Sequence, residues 1–368
     1  MRFRYSKDEK GRLVKKAIVY TLEEHRININ DVDTQAVYII ERLRANGYET
    51  YIVGGAVRDL LLGRRPKDFD IVTAANPAKI KKIFRNSRVI GNRFRLVHVY
   101  FGPRVFEVST FRSLKDGPTG NIFGTIEDDV LRRDFTINAL FYDPLKQLVV
   151  DFVNAMKDIK AKRIRPIIPL SHIFTDDPVR MIRAVKYGAA TGFNLPYSLR
   201  RRIIKQSSLL SSVSASRLTE EIFKIINSPY AALIVGALDE LGLYNYLQPK
   251  AAELFKKRQG FKTQYLNTLS SFNWLEREAK PGEALSGLIR DWLEDAVDWK
   301  GSSMHPRPSL PERYKIAFTA ARKFVLPMNP PRVELSNAIK LLFKEHGVVI
   351  KRTRFNERPQ RIVKGNEK

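Results

Sequence analysis

The chain has 368 residues, 43% of them hydrophobic, enough for two to four domains with apolar cores of their own. Lys and Arg number 65 against 39 Asp and Glu, a net charge of +26 that points to a polyanionic partner, because neutralising a phosphate backbone releases its counterions. Cysteine is absent, which excludes disulfides, thiolate metal centres and thiol nucleophiles; with no apolar leader and no spanning stretch, the expectation is a soluble cytoplasmic protein with no membrane partner.

Residues 1–30 are polar and basic and are expected to form an arm. The helical spacing of Val32, Ala36, Ile39, Ile40 and Leu43 predicts a first helix, ended by Gly47. From Tyr48 to about Val150, short apolar or alternating runs follow at Thr50 to Val53, Asp68 to Thr73, Leu96 to Phe101, Val105 to Thr110 and Leu148 to Phe152. Helical pieces at Ala56 to Leu62 and Pro77 to Phe84 interleave with them, which predicts an α/β head with a small mixed sheet. Beyond about Arg165 the pattern is helical, over Pro178 to Gly192, Leu195 to Leu210, Leu218 to Ile226 and Ala231 to Leu247. Prolines from Pro306 to Pro331 break the remainder. The expected organisation is a basic arm (1–30), a head (31–160), a helical neck (161–227), a helical body (228–326) and a basic tail (327–368).

Asp68 and Asp70 carry the strongest chemical signal. In an extended segment their side chains share one face while Phe69 turns into the core, so both carboxylates can grip the same divalent ions. Two acids on an apolar strand are costly unless a cation compensates them. Mg²⁺ suits them, with Mn²⁺ as the alternative, since a hard ion takes few protein oxygens and completes its shell with phosphate and water. Upstream, Gly54 and Gly55 stand between an apolar run and a helix, where a triphosphate can settle, and Arg58 adds a cationic donor one turn later. A third acid would help close the site. Glu107 and Asp134 both qualify, and the sequence does not rank them; Asp134 also reads as a helix cap or a partner for Arg132 or Arg133.

Four segments in order, Gly-Gly-Ala-Val-Arg-Asp (54–59), Lys-Asp-Phe-Asp (67–70), Arg-Arg-Asp-Phe-Thr-Ile-Asn-Ala (132–139) and Asp-Asp-Pro-Val-Arg-Met-Ile-Arg-Ala-Val (176–185), resemble the motifs of the bacterial poly(A) polymerase and CCA-adding tRNA nucleotidyltransferase family. The resemblance runs from about Asn30 to Leu247. It implies a DNA-polymerase-β-like head followed by all-α neck, body and tail. It also implies that Gly55 and Arg58 hold the triphosphate, Asp68 and Asp70 the metals, and Arg133 a phosphate. Asp177 and Arg180 would read the incoming base, with Arg183 nearby. Asp177 before Pro178 is equally an N-cap followed by proline in the first turn. Asp176 stands where the family usually has Glu, and Lys186 where Arg is common.

Within that family, Val89 to Gly102 and Glu24-His25-Arg26-Ile27 resemble the polymerase branch, although Asn92 stands where the branch usually has a basic residue. The resemblance therefore implies a monomeric, template-independent poly(A) polymerase that takes ATP as substrate and RNA 3′ ends as partner. A CCA-adding enzyme is the alternative, and an RNA-binding protein with an inactive head is the rival from another class. Arg93 and Arg95, and in the tail Arg352, Arg354, Arg358 and Arg361, are candidates for tracking an RNA backbone.

Overall fold

The computed structural model describes residues 2–7, 10–91, 96–113, 122–271, 280–301 and 308–350. They fall into two units. One runs to Ser214 and takes back Leu233–Tyr246; the other holds Ala215–Ala232 and the described residues from Leu247 onward.

The first unit is built on one sheet of nine strands among the described residues: β1 Arg2–Lys7, β2 Leu13–Tyr20, β3 Thr50–Val53, β4 Asp70–Thr73, β5 Ser87–Ile90, β6 Leu96–Phe101, β7 Arg104–Thr110, β8 Leu140–Asp143 and β9 Leu148–Asp151. Their order across the sheet is β1-β2-β9-β8-β3-β4-β7-β6-β5. Only the β4–β7 pair is parallel, which makes the sheet mixed. At the centre, β3 is buried along its whole length, because both faces of the sheet are covered. Tyr51, Val53 and Val72 join Phe111, Ile126, Val130 and Phe141 in one core. Ile52 and Ile71 alternate to the opposite face, where the helix Thr34–Ala45 packs. Asp33 starts that helix by accepting from the amides of Gln35 and Ala36, at 2.8 and 3.4 Å.

The head agrees with the expected α/β class, with three differences of detail. Residues 1–30 are not an arm: β1 and β2 form a hairpin that extends the sheet, with Ile18, Val19 and Tyr20 paired to β9. Ala17 and Tyr20 are buried, so these residues gain apolar cover that their polar neighbours mask in the sequence. Strands β5 and β8 were not expected, since Ser87–Ile90 is short and half-exposed and Leu140–Asp143 is too short to show a period. Strand β4 begins at Asp70, leaving Asp68 in the approach to it.

After Asp151 the described residues contain no further strand, and the helices Val179–Thr191, Tyr197–Gln206 and Ala215–Ile226 match the helical expectation. The run Ala231 to Leu247 is instead two helices, Ala231–Glu240 and Tyr244–Leu247, because Gly242 takes φ +74° between them. In the second unit, Pro249–Lys257, Phe261–Ser270, Pro281–Ala296, Leu310–Phe324 and Arg332–Glu345 are helices that bury Phe261, Tyr265, Phe324 and Phe343. Among the described residues, no helix is long and apolar enough to cross a membrane.

Candidate active site

Strand β3 ends at Val53, and the chain enters the helix Gly55–Leu61 through Gly54 at φ +73°, ψ −137°, a conformation that only glycine takes without strain. The position also faces the acidic strand. A Cβ on Gly54 would lie 3.5 Å from Asp70 Oδ2 and 3.9 Å from Arg133 Nη1. Arg58, one turn into the helix, folds back over its start, so that a Cβ on Gly55 would lie 3.4 Å from Arg58 Nη2. The guanidinium is held there by donation to Asp59 Oδ1 and Asn138 Oδ1, both at 2.9 Å, and sits 5.5 Å from the Tyr187 ring centroid.

Asp68 and Asp70 are both exposed while Phe69 between them is buried, as alternation demands. The β3–β4 register sets Asp70 opposite Val53, next to the glycine turn. Among the described residues, neither carboxylate accepts a hydrogen bond or forms an ion pair. Asp70 is pushed up to about 6 by burial first and by the charge of Glu107 second; Arg133 opposes the shift and Asp68 adds to it. The residue is exposed overall, but the surrounding protein removes much of the screening that open water would supply to its carboxylate. Glu107 comes from β7, whose parallel pairing of Ile71 with Val108 brings it beside Asp70, and its Oε1 lies 3.5 Å from His98 Nε2. The described residues contain no group of three or more His, Asp or Glu that is placed to hold a metal ion by itself.

Arg133 is positioned by a buried carboxylate absent from the sequence expectations. Asp129, in the helix Ile126–Leu131, accepts from Arg132 Nε at 2.9 Å and from Arg133 Nε and Nη2 at 3.1 and 2.8 Å. Burial would raise Asp129, yet the Arg133 and Arg132 guanidiniums outweigh it and hold the group below the usual carboxylate range. Burial and the charge of Arg132 lower the nearby Arg112 to about 10. The remaining nitrogen of Arg133, Nη1, donates to the Asn138 carbonyl at 3.1 Å, which leaves further N–H groups of the guanidinium for a ligand. Asn138 therefore ties Arg58 and Arg133 together, one through its side chain and one through its main chain. Its own turn, Thr136–Asn138, is fixed by fully buried Asp158, which accepts from Thr136 Oγ1 at 2.8 Å, Arg163 Nε at 2.5 Å and Arg165 Nε at 2.7 Å.

Asp134 caps no helix and pairs with neither Arg132 nor Arg133, because both arginines are already taken by Asp129. Its Oδ1 accepts from the Phe135 amide at 2.8 Å, and its Oδ2 lies 3.0 Å from Arg183 Nε. Arg183 also donates to the Tyr187 hydroxyl, at 3.2 Å from Nε and 3.1 Å from Nη2. Tyr187 thus stands between Arg183 and Arg58, with its ring edge-on to Phe135 at 6.0 Å. Asp177 does cap: its Oδ1 accepts from the Val179 amide at 3.2 Å where the helix Val179–Thr191 begins. Arg180 is buried and donates to the Ile173 carbonyl at 3.1 Å; burial lowers its pKa against the opposing charges of Asp177, Asp134 and Asp176.

Gly54, Gly55, Arg58, Asp68, Asp70 and Arg133 are thus brought around one turn, and Arg183 and Asp134 join them through Tyr187. Glu107, not Asp134, is the acid that acts on Asp70. Arg93, Arg95, Arg352, Arg354, Arg358 and Arg361 lie outside the described residues. Asn138, Asp129 and Tyr187 were missed, though two of them had a signal: Tyr187 stands four residues from Arg183 on one helix, and Asp129 four residues from Arg133, which follows just past the end of its helix.

Two family models match the chain, the poly(A) polymerase head domain over residues 50–165 and the probable RNA and SrmB-binding site of polymerase A over 192–255. Poly(A) polymerase I of Escherichia coli O6:H1 is 40% identical over 249 residues, 63% of this chain and 54% of that protein. The CCA-adding enzyme of Geobacillus thermodenitrificans is 36% identical over 246 residues, 65% of this chain and 58% of that protein. The chain therefore spans little more than half the length of these curated relatives. Among solved structures, the Bacillus stearothermophilus CCA-adding enzyme in complex with CTP aligns with a TM-score of 0.56 at 27% identity, covering 84% of this chain and 82% of that one. The Thermotoga maritima CCA-adding enzyme, at 21% identity and a TM-score of 0.56, shares the fold over 89% of this chain and 85% of its own.

Proposed function

We propose that the chain belongs to the family that holds the poly(A) polymerases and the CCA-adding enzymes, and that it adds AMP from ATP to RNA 3′ ends without a template. The observation that carries this reading is the pair Asp68 and Asp70, two carboxylates on one face, with no hydrogen-bonding partner among the described residues, beside a turn where only glycine fits. The donor set suits Mg²⁺. Two hard oxygens leave room for phosphate and water in the shell, and the burial that raises Asp70, with the added charge of Glu107 and Asp68, is a cost that a divalent cation relieves. When bound there, the ion supplies a lowered pKa for the attacking 3′-hydroxyl and neutralises charge on the departing pyrophosphate.

The protein's own groups do the rest. Gly54 and Gly55 let the triphosphate approach the main chain, Arg58 and Arg133 hold its oxygens, and Asn138 keeps the two guanidiniums in place. Asp177 and Arg180 read the base edge, and Asp134 sets Arg183 beside them. The 3′-hydroxyl gives its proton to solvent as its oxygen attacks the α-phosphorus, the bond from that phosphorus to the bridging oxygen of the β-phosphate breaks, and pyrophosphate leaves with the electron pair. The higher identity to poly(A) polymerase I favours ATP alone as donor. The CCA-adding reading draws on the solved structure that matches at 27% identity.

The test supplies purified protein and Mg²⁺ with each nucleotide singly, and with CTP and ATP together, on an oligo(A) primer and on a tRNA lacking its 3′ end. Long ladders from ATP alone support the polymerase. Addition of two C and then one A, confined to the tRNA, overturns it in favour of the CCA-adding enzyme.

A further inference from the structure

The β1–β2 hairpin lies outside both family matches, which begin at residue 50 and end at 255. Its two faces differ. On the inner face, Arg4 pairs with Glu49 at 2.6 Å and lies 5.8 Å over the Phe152 ring, while Ala17 is buried. These contacts fasten the hairpin to the head. The outer face presents Phe3, Tyr5 and Leu13, exposed by 40%, 54% and 71%. Phe3 and Tyr5 stand edge to face at 6.4 Å, and Lys15, which pairs across the strands with Tyr5, holds its Nζ 3.6 Å over the Phe3 ring.

An edge strand needs charge to prevent pairing with another chain, but it does not need two aromatic rings in water. An apolar patch rimmed by cations is the mark of an interaction surface. Its charge identifies the occupant. Residues 2–16 carry seven Lys and Arg against two acids, and rings set among cations on a strand face accept the bases of a single strand while the cations follow its phosphates.

We propose that the outer face of the β1–β2 hairpin, through Phe3, Tyr5 and Lys15, is a stacking platform for single-stranded RNA upstream of the reacting 3′ end. This rests on the RNA-extending reading above and adds a second point of contact to it. Stacking at a sheet face is indifferent to base identity, so the platform serves retention of the growing strand rather than choice of nucleotide.

The test compares the full chain with the F3L/Y5L double variant, which keeps apolar bulk and removes the rings, and with Y5F, which keeps both. Affinity is measured for oligo(A) of about 16 nucleotides, the upper site size of a single-strand-binding fold, and for a trinucleotide. The expected result is a loss of about tenfold for the long oligonucleotide with F3L/Y5L, no change with Y5F, and no change for the trinucleotide in either. Products of F3L/Y5L are correspondingly shorter, with the rate of the first AMP addition to a trinucleotide unaltered. Wild-type affinity of F3L/Y5L for the long oligonucleotide overturns the proposal and leaves the face to a protein partner. An equal loss for both oligonucleotides overturns it too. A wild-type chain that fails to extend any primer, while F3L/Y5L still binds long RNA more weakly, defeats the polymerase reading and leaves the platform standing.

Discussion

Asp134 and Arg183 form an ion pair, with Oδ2 3.0 Å from Nε, across 49 residues of sequence, and it binds the segment after Arg133 to the helix Val179–Thr191. The pair separates two roles that an acid in this motif can take. Asp134 is engaged with a cation, whereas Asp68 and Asp70 have neither an ion pair nor a hydrogen bond among the described residues.

Asp134→Asn is therefore expected to act through Arg183. The KM for ATP rises and discrimination between ATP and CTP relaxes, while the Mg²⁺ concentration for half-maximal rate stays at its wild-type value. Steady-state kinetics at varied ATP, CTP and Mg²⁺ make the check. A raised Mg²⁺ requirement would show Asp134 to be a metal ligand.

Asn138→Ala removes the side-chain acceptor of Arg58 and leaves the main-chain acceptor of Arg133. Loss of a hydrogen bond to a charged group costs roughly 1.5–3 kcal/mol in binding, about ten- to a hundredfold in ATP affinity. Equilibrium binding of ATP measures it directly, and unaltered affinity would remove Asn138 from the site.

His25 is buried, accepts the Ile27 amide at Nδ1 and reaches the Gln147 carbonyl with Nε2, both at 3.0 Å, which fixes a neutral ring protonated on Nε2. Burial lowers its pKa from the ordinary 6.5. An unfolded chain takes up this proton near 6.5 and the folded one only at lower pH, so the stability His25 contributes is complete above 6.5 and declines as pH falls below it. The melting temperature of the wild type is expected to drop toward that of His25→Leu between neutral and mildly acidic pH. A gap between the two that stays constant with pH would refute this.

Asp70 has the opposite sign. With a folded pKa near 6 against 3.8 in the unfolded chain, its ionisation destabilises the fold; the cost is absent below about 3.8 and complete above about 6. Without added metal, Asp70→Asn should melt higher than wild type at pH 7.5 and level with it near pH 4. Saturating Mg²⁺ should raise the wild type and not the variant, since a ligand stabilises the state that binds it. Equal melting temperatures at pH 7.5 would contradict the cost of holding this carboxylate ionised in its desolvated place beside Glu107 and Asp68.

The glycine turn and the acid pair beside it were legible because they sit in contiguous residues. Gly54, Gly55 and Arg58 occupy one strand-to-helix junction, and alternation alone puts Asp68 and Asp70 on one face with Phe69 beneath. What connects the motifs was not legible. Asn138 serves Arg58 from 80 residues away, and no local pattern reports a partner at that distance. The choice between Glu107 and Asp134 needed the parallel pairing of β4 with β7, which depends on a crossover and not on any periodicity. The hairpin was hidden for a different reason. Lys and Arg at consecutive and alternate positions dilute the apolar residues of β1 and β2, so a strand pair whose outer face is left to solvent reads as a charged arm.

The central claim is that Asp68 and Asp70 together hold the divalent ion beneath the incoming nucleotide. The most direct measurement is AMP incorporation from ATP into an RNA primer by Asp70→Ala, beside its binding of the same primer. The account predicts incorporation abolished and primer affinity retained. Incorporation at the wild-type rate would contradict it.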